Sequence, residues 1–163
     1  MPQLLRAIRK RRWSTEEEIS GLSQGEIQAD ALGDLVTKNN TLSFWYIKDD
    51  RSNLETVIIA LAANRDTISN LDYVLFNIDL VSEIGIKIEA NEGGTPYDKA
   101  NHWHRDLVGL SATQIVKLAE IISLHSDKKR ISEKQILNLI KDAVKNGDID
   151  MARLKPDIAR KLN

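Results

Sequence analysis

The sequence predicts an α+β fold: a predominantly helical single domain with a small β-sheet and a helical C-terminal half. Three observations point there. The stretch "TLSFWYI" (41–47) is β-branched and aromatic and "IKIEA" (86–90) alternates apolar with polar residues, so both read as strands. Between them, "SNLE" (52–55) leads into "TVIIALAA", a run apolar on every side, as expected of a buried helix. Beyond "EANEGGTP" (89–96), two Ser-x-x-Gln capping boxes each head an amphipathic run.

Each element has its own local reason. On a helix, Arg6, Arg9, Lys10 and Trp13 of the first segment share a face. Ser14 with Glu17 and Ser23 with Glu26 mark short helices, although Gly25 and the alternating "EIQADA" argue against the second. "KNN" (38–40) is a turn entering the first strand. "ISNLDY" repeats the cap signal, with Leu71, Val74, Leu75 and Ile78 at helical spacing, and predicts a helix over 70–84, with a strand at "DYVLF" as the alternative. Gly85 marks a helix end before the second strand. Thr95 as cap, Pro96 at the first position and Asp98 at the third predict a helix running past His104. Ser111 with Gln114 and Ser132 with Gln135 open two further helices, and Gly147 stops the second. Ile149 and Leu154 bracket a last entry, which Pro156 limits. The loop divides the chain into subregions, 1–91 mixed and 95–163 helical, of one domain.

The chain has 163 residues and no cysteine, which excludes disulfides, thiolate nucleophiles and cysteine-ligated metal. No apolar run approaches the roughly 18 residues of a membrane span, and the first residues carry charge where a secretory signal needs an apolar core. The expectation is a soluble cytoplasmic protein. The net charge of −1 hides segregation: residues 49–106 hold eleven acidic and five basic side chains, whereas 128–163 hold five acidic and ten basic. Basic ends flank an acidic centre, a pattern that offers cationic surfaces to an anionic partner or pairs internally.

His102, His104 and Asp106 in "YDKANHWHRDL" are spaced like the front of the His-x-His-x-Asp-His motif of the metallo-β-lactamase superfamily, but Leu107 stands where that motif has its next histidine. On the predicted helix the two imidazoles diverge by about 160° at roughly 100° per residue, so they do not share an ion. "DAVKNGDIDMAR" (142–153) resembles an EF-hand calcium loop, yet Val144 and Arg153 replace two ligands, the second with a positive charge. "EGGTP" precedes a helix start and offers free N–H groups to an anion, without the Lys-Ser/Thr ending of a phosphate loop. Asp49 and Asp50 follow a strand, where carboxylates can hold metal in hydrolases and nucleases; Asp98, His102 and Asp106 complete that alternative site. No cofactor is implied.

The basic features carry the main expectation. Lys134, Asn138, Lys141 and Lys145 recur at helical spacing as an exposed strip, preceded by Lys128, Lys129 and Arg130. With Arg6, Arg9, Lys10 and Trp13 they form the candidate contact residues of a non-catalytic interaction or regulatory module that binds protein or nucleic acid through basic helical surfaces.

Overall fold

A computed structural model of the chain describes residues 1–14, 22 and 26–162. Six strands, β1 (Gln3–Ile8), β2 (Leu42–Ile47), β3 (Leu71–Asn77), β4 (Lys87–Ala90), β5 (His104–Val108) and β6 (Asp127–Ile131), form one sheet in the order β4-β5-β2-β1-β3-β6. All five pairings are antiparallel. The helices are α1 (Leu54–Ala63), α2 (Asp79–Glu83), α3 (Asp98–Asn101), α4 (Ala112–His125), α5 (Glu133–Lys145) and α6 (Pro156–Leu162). No described helix is long and apolar enough to cross a membrane.

The sheet is covered on both faces. Strand side chains alternate between them, so Leu5, Trp45, Ile47, Tyr73 and Leu75 pack under α1, α5 and α6 on one side, here face A. Leu4, Phe44, Val74, Phe76 and Leu107 pack under α4 on the other, face B. Phe44 and Phe76 meet edge to face at 5.7 Å across β1, which lies between their strands. This three-layer arrangement explains why β3, "LDYVLFN", is almost continuously apolar: neither of its sides faces water.

The mixed α/β class and the helix-rich C-terminal half are as expected, but several boundaries differ for identifiable reasons. The first segment is not helical: β1 pairs with β2 and β3, and a 3₁₀ turn, Lys10–Trp13, follows. The 70–84 segment is β3 followed by α2, the strand alternative. The C-terminal half is interrupted by β5 and β6, both in the same sheet as the N-terminal strands. The helix predicted past His104 stops after one turn, because His104–Val108 pair with β2 and β4 as β5, and Thr95 does not cap it. The Thr95 hydroxyl donates to Asn101 Oδ1 at 2.8 Å, and Asn101 Nδ2 donates back to the Thr95 carbonyl at 3.2 Å. Ser52 does not cap α1 either; Asn53 precedes that helix and ties β2 to it, accepting from Lys48 N and donating to the Tyr46 carbonyl, each at 2.9 Å. Pro156 opens α6 rather than limiting it.

Other local signals are realised. Both Ser-x-x-Gln boxes form reciprocally at the starts of α4 and α5. Asn39 and Asn40 both have positive φ in the Lys38–Thr41 turn, a conformation asparagine tolerates better than most residues. The Ser14 and Ser23 helix entries involve residues outside the described ones. A 3₁₀ turn, Ala29–Asp34, follows them.

Phe44→Ala removes a fully buried ring from face B and is expected to lower unfolding free energy by about 3–5 kcal/mol. Ser132→Ala removes one cap and is expected to lower it by about 1 kcal/mol. Urea unfolding of the two variants beside the parent checks both values.

Candidate anion-binding cleft

The end of β1 is where the basic N-terminal segment meets the rest of the molecule. β3 lies beside it and β6 beside β3, with Ile8 opposite Asp72 and Asp72 opposite Arg130. Two basic segments more than a hundred residues apart in the chain therefore end one strand apart. Between them and the C-terminal end of α1 lies a cleft of about 490 Å³. Arg9, Lys10, Arg11, Arg65 and Arg130 surround it, with Asp34 and Asp72 between them and Leu61 and Asn64 on the helical wall.

Both carboxylates are already engaged. Asp72 accepts two bonds from Arg130, Nε at 2.6 Å and Nη2 at 3.0 Å, and one from the Lys10 backbone N–H at 3.1 Å. The Arg130 hydrogen bonds hold its carboxyl below the usual carboxylate range against an opposing effect of desolvation. Asp34 accepts from Arg9 N at 2.8 Å, Trp13 Nε1 at 2.9 Å and Arg12 Nη1 at 3.2 Å, pinning the two 3₁₀ turns together. Arg65 Nη1 donates to the Ser69 and Asn70 carbonyls. The side chains of Arg9, Lys10 and Arg11 are exposed and make no ion pair among the described residues. Behind them, burial pushes the Lys128 ammonium below its ordinary pKa, and the Lys10 charge adds to that effect. Among the described residues, cations are thus crowded here beyond what the local carboxylates neutralise.

The structure divides the N-terminal candidates. Arg9 and Lys10 reach the cleft surface. Trp13 is 3% exposed and belongs to the face B core. Arg6 points into face B, donating to the Asp34 carbonyl at 2.9 Å and the Ser43 carbonyl at 2.5 Å and lying 5.3 Å from the Phe44 ring. Burial pushes its guanidinium down to about 10, with Asp34 pulling the other way, so it remains cationic at neutral pH. The shared helical face is therefore corrected: a strand sends Arg6 inward and leaves the next two cations at its exit. Lys134, Asn138, Lys141 and Lys145 are exposed along α5 as the spacing implies, over buried Ile136 and Ile140.

The alternative metal residues have separate engagements. Asp49 pairs with the Met1 amino group at 3.2 Å, Asp50 accepts from Ser52 N at 3.0 Å, and Asp98 forms a two-bond pair with Arg153. His102 lies against Trp103 with ring centres 4.2 Å apart, while His104 sits on β5 against Trp45 at 5.3 Å. Asp106 accepts from Ser43 Oγ and Asn91 Nδ2, each at 2.9 Å. Among the described residues no three His, Asp or Glu side chains converge closely enough to hold a metal ion.

The double glycine also has a packing role. A Cβ on Gly93 would lie 3.0 Å from the Trp45 ring and 3.1 Å from Asn101 Oδ1. Its N–H donates to the Asn101 carbonyl and that of Thr95 to the Asn101 side chain, so these donors are not offered to an anion. Arg65 had no sequence signal, being a lone arginine after a helix; only its position at the cleft wall identifies it. Comparison with protein families, curated proteins and solved structures finds no match to this chain.

Arg130→Ala is expected to raise the Asp72 pKa toward the ordinary carboxylate range, read by following its side-chain carboxyl resonance through an acid titration. Because the folded-state value is depressed, this pair's contribution to stability is present above the ordinary range and lost as pH falls through the lowered value. The variant's acid unfolding should therefore depend less on pH in that window.

Proposed function

We propose that the protein is a non-catalytic interaction module that binds an anionic macromolecular partner in the cleft between the end of β1, the end of α1 and β6. The observation that carries this reading is the convergence of residues 9–11 with Arg130 around carboxylates already occupied. Polyanion binding gains from the release of counterions as cations displace them, and three side chains at one rim that make no ion pair among the described residues supply that gain. The strip on α5 is less suited: its cations lie on one convex helix face, where the usual role of lysine is solvation.

Binding of labelled oligo(dT), oligo(U) and polyglutamate at 50 and 200 mM salt tests the reading. About three ionic contacts predict an affinity loss on the order of tenfold across that range for the polymer that binds. Lys10→Glu combined with Arg11→Glu should abolish that binding while leaving the unfolding midpoint near the parent value, since both side chains are exposed. Retention by this variant, or no binding of any polyanion, contradicts the proposal.

A further inference from the structure

Face A is left open at one place. The β1-β2 ladder ends at Leu5 and Trp45, while β1 continues beside β3 and β2 beside β5. Where the two strands part, Ala7 and Ser43 are exposed although both sit on interior strands of the sheet. A recess of about 330 Å³ opens there, inside the roughly 300–1,000 Å³ common for small-ligand sites. Trp45, Leu61, Asn64, Gly94 and His104 wall it. It shares Ala7, Leu61 and Asn64 with the cationic cleft, so the two cavities adjoin as one trough.

The two ends of the trough differ in chemistry. At the cleft, Arg9, Lys10 and Arg11 offer cations that make no ion pair among the described residues. In the recess, the Asn64 side-chain amide and the Gly94 peptide N–H and carbonyl have no hydrogen-bond partner among the described residues. Arg6, beneath it, is spent on the Asp34 and Ser43 carbonyls. Each of the two groups left over sets a donor beside an acceptor, which is the pattern that nucleobase edges display. A carboxylate only accepts, so it would leave Asn64 Oδ1 and the Gly94 carbonyl unpaired, and Asp106, bonded to Ser43 at 2.9 Å, repels it.

We infer that the recess takes one nucleobase of a single-stranded nucleic acid whose phosphates lie on Arg9, Lys10 and Arg11. Ala7 and Arg9 are two residues apart, roughly 7 Å at the rise of a strand, a span that a sugar bridges between base and phosphate. Bases within a duplex are stacked and paired, so only an unpaired one enters a recess of this kind. The inference rests on the binding-module reading and narrows its partner from any polyanion to single-stranded nucleic acid.

The test uses the full chain and three labelled decamers at one salt concentration: oligo(dA), an abasic strand with the same phosphates, and polyglutamate. Adenine is the probe because its N6 and N7 match the donor and acceptor of an asparagine amide. Fluorescence anisotropy gives affinity, and the Asn64 side-chain amide resonance reads the recess. Oligo(dA) should bind at least tenfold more tightly than either control and shift that resonance, which the abasic strand leaves in place. Ala7→Phe, a bulky side chain at an exposed position on the floor of the recess, should cut the advantage over the abasic strand below threefold. Equal affinity for oligo(dA) and the abasic strand, an advantage kept by the folded Ala7→Phe variant, or an unmoved Asn64 amide overturns the base recess. Abasic or polyglutamate binding that persists in those cases, and is lost with Lys10→Glu and Arg11→Glu, leaves the broader module reading standing, whereas no binding of any decamer contradicts both.

Discussion

The structure depends most on the position of one short strand. β1 lies inside the sheet with β2 and β3 on either side, so its six residues are held by two ladders and packed on both faces. Leu5 enters the core under α1 and α5, while Leu4 and Ile8 enter the core under α4. Burial of such side chains is worth about 1.5–3 kcal/mol each, enough to override the helical preference of Leu, Arg and Ala. Once β1 is fixed, its exit carries Arg9, Lys10 and Arg11 to the strand-end cleft, and β3 relays the register to β6.

Charge segregation along the chain has two structural consequences. Much of it is consumed internally: Asp72 pairs with Arg130, Asp98 with Arg153, Asp148 with Lys99 and Asp34 with Arg12. In three of the four the basic partner is exposed, and such surface contacts contribute roughly 0–1 kcal/mol, so they orient side chains more than they stabilise the fold. The surplus is local. Among the described residues it stays at the β1 exit, where the carboxylates in reach are already bonded. The acidic centre of the sequence therefore sets which cations are used up and which remain available.

What could be read in advance followed from local physics. Capping boxes at Ser111 and Ser132, the strands at 42–47 and 87–90 and the buried helix α1 depend on neighbouring residues and were legible. The missed strands depend on distant ones. "QLLRAI" has ordinary helix formers, and only pairing on both sides makes it a strand. "DKKRI" lacks the apolar alternation of a half-buried strand because it is an edge, where charged side chains are typical. "LDYVLFN" fits both periods, since burial on two faces erases alternation. At the candidate site, Arg9 and Lys10 were legible as part of a basic run, and 128–130 as another. Their meeting was not, because it is set by the β1-β3-β6 register and by nothing within either segment.

That register can be measured directly, because a chain without cysteine accepts two introduced thiols as unique labelling points. Ala7 and Lys129 are exposed and both lie opposite Tyr73, so their Cα atoms stand about two strand spacings, or roughly 10 Å, apart. Spin labels on Ala7→Cys and Lys129→Cys should show strong dipolar broadening in frozen solution, absent from either single-labelled protein. A doubly labelled spectrum equal to the sum of the two single ones would show that the basic segments do not meet, and the cleft would have no basis.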